Sequence, residues 1–250
     1  MTSDASLPII ASMTTADGLN TLASKGPSQD TKAFIQKVFA CSPEVAHAVG
    51  LRAVEKRWPA RAAILRQGDT GGETFLLLAG RAHALLYGLD GQLVLLNEFL
   101  PGDLFGAIAQ ADPGPHEADV TAVEDSRAAL FAALDFLGLM EAHGCVGLAV
   151  SRQLLRQLRH ATGKMVERTT LSAAGRVYSE LLRLARGPSG DGDGMTISPP
   201  PVLAALAVRV QSTRETVSRT INALERRGLI RREADALVLV APDRLEEMVI

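Results

Sequence analysis

Between Trp58 and Leu134 the chain is cut into short apolar runs by regularly placed glycines. Gly68, Gly80, Gly91 and Gly102 recur every 11 or 12 residues through "ILRQGDTGGETFLLLAGRAHALLYGLDGQLVLLNEFLPGDLFGAI". Runs this short, each closed by a turn residue, suit strands and leave no room for helices of ordinary length. "LDGQ" between "HALLY" and "LVLLNEF" carries the signal of a hairpin turn. Evenly spaced short strands predict a small antiparallel barrel or jelly roll.

On both sides of this block the texture is helical. Residues 31–56 read as helix, with Phe34, Val38 and Phe39 on one face and Val45, Val49 and Leu51 following the helix start "SPE". Residues 144–170 contain no proline, and Leu148, Ser151, Leu155, Leu158, Thr162 and Met165 follow a 3-4 spacing. That spacing makes an apolar seam a few turns long, with Arg152, Arg156, Arg159 and Lys164 off it, and the seam is expected to pair two copies of the chain. "LSAAGRVYSELLRLAR" (171–186) is a further amphipathic helix, ended by Gly187 and Pro188. Past the turn "GPSGDGDGM" come two short helices and a hairpin, "IRREADALVLVAP".

Composition narrows the class. With 47% hydrophobic and 22% charged residues in 250, the chain has material for two packed domains. Cys41 and Cys145 are too few for a disulfide framework or an iron–sulfur cluster and lack zinc-type spacing. No apolar run is long enough to cross a bilayer, and no secretory signal opens the chain, so a cytoplasmic protein without a membrane role is expected. His47, His83, His116, His143 and His160 show no HxH or HExxH spacing, and no Walker loop or GxSxG stretch occurs, so neither a metal site nor a catalytic constellation is expected. His83, alternating with apolar neighbours in "RAHALLY", reads as an ordinary barrel histidine.

Against a net charge of −2, residues 203–232 hold seven Arg and two Glu. A helix starting at Ser212 or Thr213 places Val217, Ile221 and Leu224 on one apolar stripe, which must pack inward. Arg214, Glu215, Ser218, Arg219 and Asn222 then fall on a second, polar stripe. The preceding helix offers Leu203, Leu206, Ala207 and Val210, and two helices joined this tightly cross as a helix-turn-helix. Arginine can donate twice to guanine O6 and N7, and glutamate can accept from cytosine N4, so double-stranded DNA is the expected partner. Arg214, Glu215, Ser218 and Arg219 are the candidate base readers. Thr213, Asn222, Arg226, Arg227, Arg231 and Arg232 are candidates for phosphate contacts. An intrahelical Glu215–Arg219 ion pair, worth a few tenths of a kcal/mol, is the plainer use of that pair and is compatible with DNA reading.

With "STRETVSRTINALERRGLI" preceded in order by "LRQGD", "FLLLAG", "PGDLFG" and "AAGRVYSELLRLA", the chain resembles the Crp–Fnr family of bacterial transcription regulators from about Trp58 to Val240. Residues 1–30, rich in Ser, Thr, Asp, Ala and Gly, read as a disordered tail; the resemblance implies an α+β fold with a cyclic-nucleotide-binding-like β jelly roll (31–143), a long dimerisation helix (144–170) and a winged helix-turn-helix (171–250). It also implies a homodimer on an inverted-repeat site and RNA polymerase as a partner. The dimer helix would use Leu148, Leu155, Leu158, Thr162 and Met165.

The effector pocket departs from the family. Nucleotide-binding members carry Glu after "FG" and an Arg-Ser pair about ten residues on; here Ala107 takes the Glu place and His116-Glu117 aligns with the pair. Gly106, Ala107, Ile108, His116, Glu117 and Thr162 therefore form a degenerate pocket. A carboxylate in place of Arg repels a phosphate a few Å away by about 1–4 kcal/mol. The expected effector is a small molecule other than cyclic AMP, or none, and no cofactor is expected. A haem or other gas or redox sensor of the same architecture is the first alternative; a regulatory module whose basic helix binds protein or RNA is the second. In the turn, Gln211 stands where members usually have Gly, at a cost of about 1 kcal/mol if φ is positive.

Overall fold

The computed structural model describes residues 28–88, 93–108, 114–187 and 195–249. Most of the N-terminal tail, the "LDGQ" turn and much of "GPSGDGDGM" lie outside the described residues. Chain order begins with α1 (Gln29–Phe39) and α2 (Pro43–Leu51). Ser28 caps α1 by accepting from Thr31 N–H, so helix begins two residues inside the stretch read as tail.

The helical stretch also ends earlier than expected, because β1 (Val54–Trp58) already belongs to the barrel. Its "VEKRW" pairs antiparallel with β8 (Ser126–Ala132), Val54 opposite Leu130 and Trp58 opposite Ser126. The remaining strands are β2 (Ala63–Leu65), β3 (Glu73–Ala79), β4 (Ala82–Tyr87), β5 (Leu93–Phe99), β6 (Leu104–Gly106) and β7 (Asp119–Ala122). They form two four-stranded antiparallel sheets, ordered β1-β8-β3-β6 and β2-β7-β4-β5, which is the jelly roll.

Between the sheets lie Phe75, Phe99 and Phe105, with Phe105 stacked on Phe75 at 5.0 Å and on Phe99 at 4.7 Å between ring centroids. The outer face of the first sheet packs Leu76, Leu104 and Phe131 against Ile35 and Phe39 of α1, Phe136 of α3 (Ala133–Ala142) and Val146 and Val150 of α4 (Gly144–Thr170). Helix α4 turns away from α3 by 112° and runs for 27 residues, about 40 Å. Among the described residues no single helix is long and apolar enough to cross a membrane.

A second core belongs to α5 (Ala173–Arg186), α6 (Leu203–Val210), α7 (Arg214–Arg226) and α8 (Pro242–Glu247). Val177 and Leu181 meet Leu206, Val217, Ile221 and Leu224 there. A three-stranded wing, ordered β10-β11-β9 (Ile230–Arg232, Leu237–Leu239, Thr196–Ile197), closes it. The chain is thus an α+β protein with a jelly roll, a long helix and a winged helix-turn-helix.

Candidate nucleic-acid interface

Helix α7 owes its start to Thr213, whose side chain accepts from Thr216 N–H at 3.2 Å. The turn before it is made by Gln211 in the left-handed region (φ 49°, ψ 60°), the conformation in which a glycine is easiest to accommodate. Arg176 of α5 secures that turn, donating to the carbonyls of Val210 at 2.9 Å, Gln211 at 3.4 Å and Leu171 at 3.1 Å. These carbonyls end α6 and α4, where no intrahelical donor is left for them. Nothing local in the sequence marks Arg176, 34 residues before its partner.

With Val217, Thr220, Ile221 and Leu224 buried, α7 turns the rest of its circumference outward. Arg214, Glu215 and Arg219 are exposed and Ser218 is half-buried beside them. Glu215 and Arg219 do not pair; Arg219 reaches back to the Thr216 hydroxyl at 3.4 Å. The Glu215 carboxylate and the remaining Arg219 donors therefore stay available for something outside the molecule. Asn222 accepts from Arg232 of the wing at 2.7 Å, and Arg232 also pairs with Glu225 at 3.2 Å, tying β10 to α7. Arg231 pairs with Glu233 at 2.8 Å, whereas Arg226 and Arg227 are exposed without a carboxylate partner among the described residues.

Of the residues assigned to the effector pocket, Gly106, Ala107 and His116 lie around the start of β3, and Ile108, Glu117 and Thr162 do not join them there. Gly106 has φ 88°, and a side chain there would collide with the Glu73 carbonyl oxygen and approach the Phe75 ring. Ala107 is buried: its N–H donates to Glu73 O at 2.9 Å, and its carbonyl accepts from the Thr74 hydroxyl at 3.1 Å. Ile108 packs on the α1–α4 core. His116 is fixed by its backbone to Gly68 and Asp69, with its ring facing Gly71, close to the Glu73 carboxylate, while Glu117 is exposed. Thr162 is exposed on α4.

Along α4, Val146, Val150 and Gln153 face the barrel. Leu148, Leu155, Leu158 and Met165 are exposed, Leu158 at 63% and Met165 at 68%. Leu154 and Val166 widen the same apolar surface. The two cysteines lie side by side where α1 ends and α4 begins, and burial pushes the Cys41 thiol up, away from the thiolate a nucleophile needs.

His83 lies on β4, as a barrel histidine, and through Glu98 links the barrel to the helix-turn-helix. Its Nε2 lies 3.1 Å from Glu98 Oε1 on the neighbouring strand, and Glu98 also takes both terminal nitrogens of Arg209, from α6, at 2.5 and 3.2 Å. Burial pushes the Glu98 carboxyl up, but hydrogen bonds from His83 and Arg209 and the Arg209 charge outweigh it and hold the group well below the usual carboxylate range. The barrel thus grips the first helix of the helix-turn-helix. Among the described residues no group of three or more His, Cys, Asp or Glu is placed to hold a metal ion.

Residues 55–143 match the model of the cyclic nucleotide-binding domain family, and residues 175–248 that of the Crp-like helix-turn-helix domain. The chain is 33% identical to the cyclic AMP receptor protein of Thermus thermophilus over 174 residues, covering 70% of this chain and 78% of that one. It is 24% identical to the CRP-like cAMP-activated global transcriptional regulator of Mycobacterium tuberculosis over 189 residues, 75% and 84% of the two chains. In fold it resembles a CooA mutant from Carboxydothermus hydrogenoformans, with a TM-score of 0.70, 18% identity and coverage of 86% and 95%. It also resembles the c-di-GMP responsive global regulator CLP of Xanthomonas campestris, with a TM-score of 0.67, 19% identity and coverage of 83% and 98%.

Proposed function

The chain belongs to the Crp–Fnr family of transcription regulators, and on that premise we propose that it binds an inverted-repeat DNA site as a homodimer, with a small effector other than cyclic AMP or with none. One observation carries the DNA reading: α7 buries Val217, Ile221 and Leu224 and turns Arg214, Glu215 and Arg219 outward without an ion-pair partner. Glu215 accepts from cytosine N4, and Arg214 and Arg219 donate to guanine. Ser218 shapes the contact between them, and Thr213, Asn222, Arg226, Arg227, Arg231 and Arg232 hold phosphates on either side. Arg232 meets the phosphate with the donors left over from its own contacts to Asn222 and Glu225.

The exposed row Leu148, Leu155, Leu158 and Met165 supports pairing of two α4 helices, with Thr162 in the seam. Such a dimer sets two α7 helices about one helical turn of DNA apart, roughly 34 Å. Recruitment of RNA polymerase rests on family membership.

Cyclic AMP is a poor fit to this barrel. Ala107 is buried where a ribose acceptor is needed, Glu73 and Glu117 add negative charge near His116, and three phenylalanine rings fill the space between the sheets. His83, held by Glu98, is a poor candidate for a haem ligand. Selection of sites from a random DNA pool tests the reading: an inverted-repeat consensus is expected, and recovery of no consensus would reject it.

A further inference from the structure

Between β5, α4 and the helix-turn-helix lies a cleft of about 210 Å³. Glu98 lines it from β5, His160 and Lys164 from α4, Arg183 from α5 and Arg209 from α6. It lies where the barrel, the dimer helix and the DNA-reading domain meet, away from Gly106, Ala107 and His116.

The charges in this cleft do not balance. Counting Asp103 and Arg156 at its rim, the lining has two carboxylates against Arg156, Lys164, Arg183 and Arg209. Both carboxylates are already committed: Glu98 holds Arg209 and His83, and Asp103 lies 3.8 Å from Arg156. Glu180, just outside the cleft, holds Arg183 at 2.6 Å and lies 3.6 Å from Arg209. Lys164 receives no hydrogen bond acceptor and no ion-pair partner among the described residues, although it is half-buried. Burial lowers its ammonium from the ordinary lysine value, and the positive charges of Arg183 and Arg209 lower it further, against Glu180 and Glu167. His160 is lowered as well, by burial and by Lys164 and Arg183. Cations gathered in one partly enclosed space, one of them with no hydrogen-bonded carboxylate, describe a receptor for a negative ligand.

We propose that this cleft binds a small polyvalent anion bearing phosphate or carboxylate groups, with Lys164, Arg183 and Arg209 as its ligands. The cleft is smaller than the usual site for a drug-sized molecule, which favours a compact ligand. The two arginines offer planar donors for oxygen pairs, and Lys164 offers a point charge. Anion oxygens within reach of Arg209 compete with Glu98 and Glu180 for the same guanidinium. The ligand therefore acts on the contact that ties the DNA-reading domain to the barrel. This proposal rests on the regulator reading only for that consequence; binding itself needs no DNA.

The test uses the full chain and two probes, pyrophosphate and citrate, titrated at constant ionic strength with sodium chloride as balance. Binding is read by calorimetry and by the rise in melting temperature. Saturable binding of either probe is expected, pyrophosphate alone indicating a phosphate ligand and citrate alone a carboxylate. Lys164→Gln removes no existing pair and should weaken binding roughly tenfold or more. Lys56→Gln, an equal charge change on β1, should leave it unchanged. Absence of saturable binding to both probes overturns the proposal, and so does Lys164→Gln binding like the unaltered chain or Lys56→Gln losing as much. Site selection on DNA runs in parallel without either probe: loss of the consensus with anion binding intact rejects the regulator reading alone, and the reverse rejects the cleft alone.

Discussion

Gln153 of the long helix takes both backbone groups of Leu104 of the barrel: its Oε1 accepts from Leu104 N–H at 2.8 Å, and its Nε2 donates to Leu104 O at 2.6 Å. Leu104 opens β6, an edge strand of its sheet, so the amide does what a further strand would do. The pair is buried, with Gln153 only 3% exposed. Gln153→Leu keeps the volume and strands two backbone groups. A loss of about 2–4 kcal/mol is expected in urea unfolding.

Arg219→Ala should lower affinity for the selected site by roughly 1–3 kcal/mol, with little change on unrelated duplex. Arg226→Ala should instead weaken both alike and reduce the salt slope by about 1. Fluorescence anisotropy across a salt series checks the two together, and the opposite pattern would exchange their assigned roles.

Leu158, exposed at 63% in the single chain, lies at the centre of the proposed seam. Leu158→Glu places two like charges face to face in a dimer and costs nothing in the isolated fold. Sedimentation should show monomers at concentrations where the unaltered chain is dimeric, with the circular dichroism spectrum unchanged. A dimer that survives this change would move the interface elsewhere.

The Glu98 carboxyl is held below its ordinary value, so its contribution to stability is present above the unfolded-state value, near 4.3, and fades as pH falls through the folded value. Glu98→Gln should therefore cost a constant amount, roughly 1–3 kcal/mol, from about pH 5 to pH 8. The difference from the unaltered chain should shrink below about pH 4. Chemical denaturation at a series of pH values measures it, and a gap that widens on acidification would contradict the Glu98–Arg209 contact.

Much of this architecture is written locally. The glycines at 68, 80 and 102 close turns with positive φ, and the stripe of Val217, Ile221 and Leu224 needs only a period of 3.6 to be seen. The cost suspected at Gln211 is borne in the turn, whose φ is positive. What escaped is long-range. Arg209 and Glu98 are 111 residues apart, and Gln153 and Leu104 are 49 apart, so no window of sequence contains both partners. His83 reads as unremarkable for the same reason: its role is set by the strand beside it and the domain beyond. The early start of β1 was hidden because it follows α2 after only Arg52 and Ala53, with no glycine or proline between them.

Arg176 ties the end of α6 and the turn at Gln211 to a helix outside the two-helix unit. The crossing angle of the reading helices is consequently an inherited property, imposed by α5. A peptide comprising only residues 203–227 would keep the side chains proposed to address DNA and lose the hinge pin that aims them, so transplanting the proposed specificity onto another scaffold requires carrying residues 171–186 along.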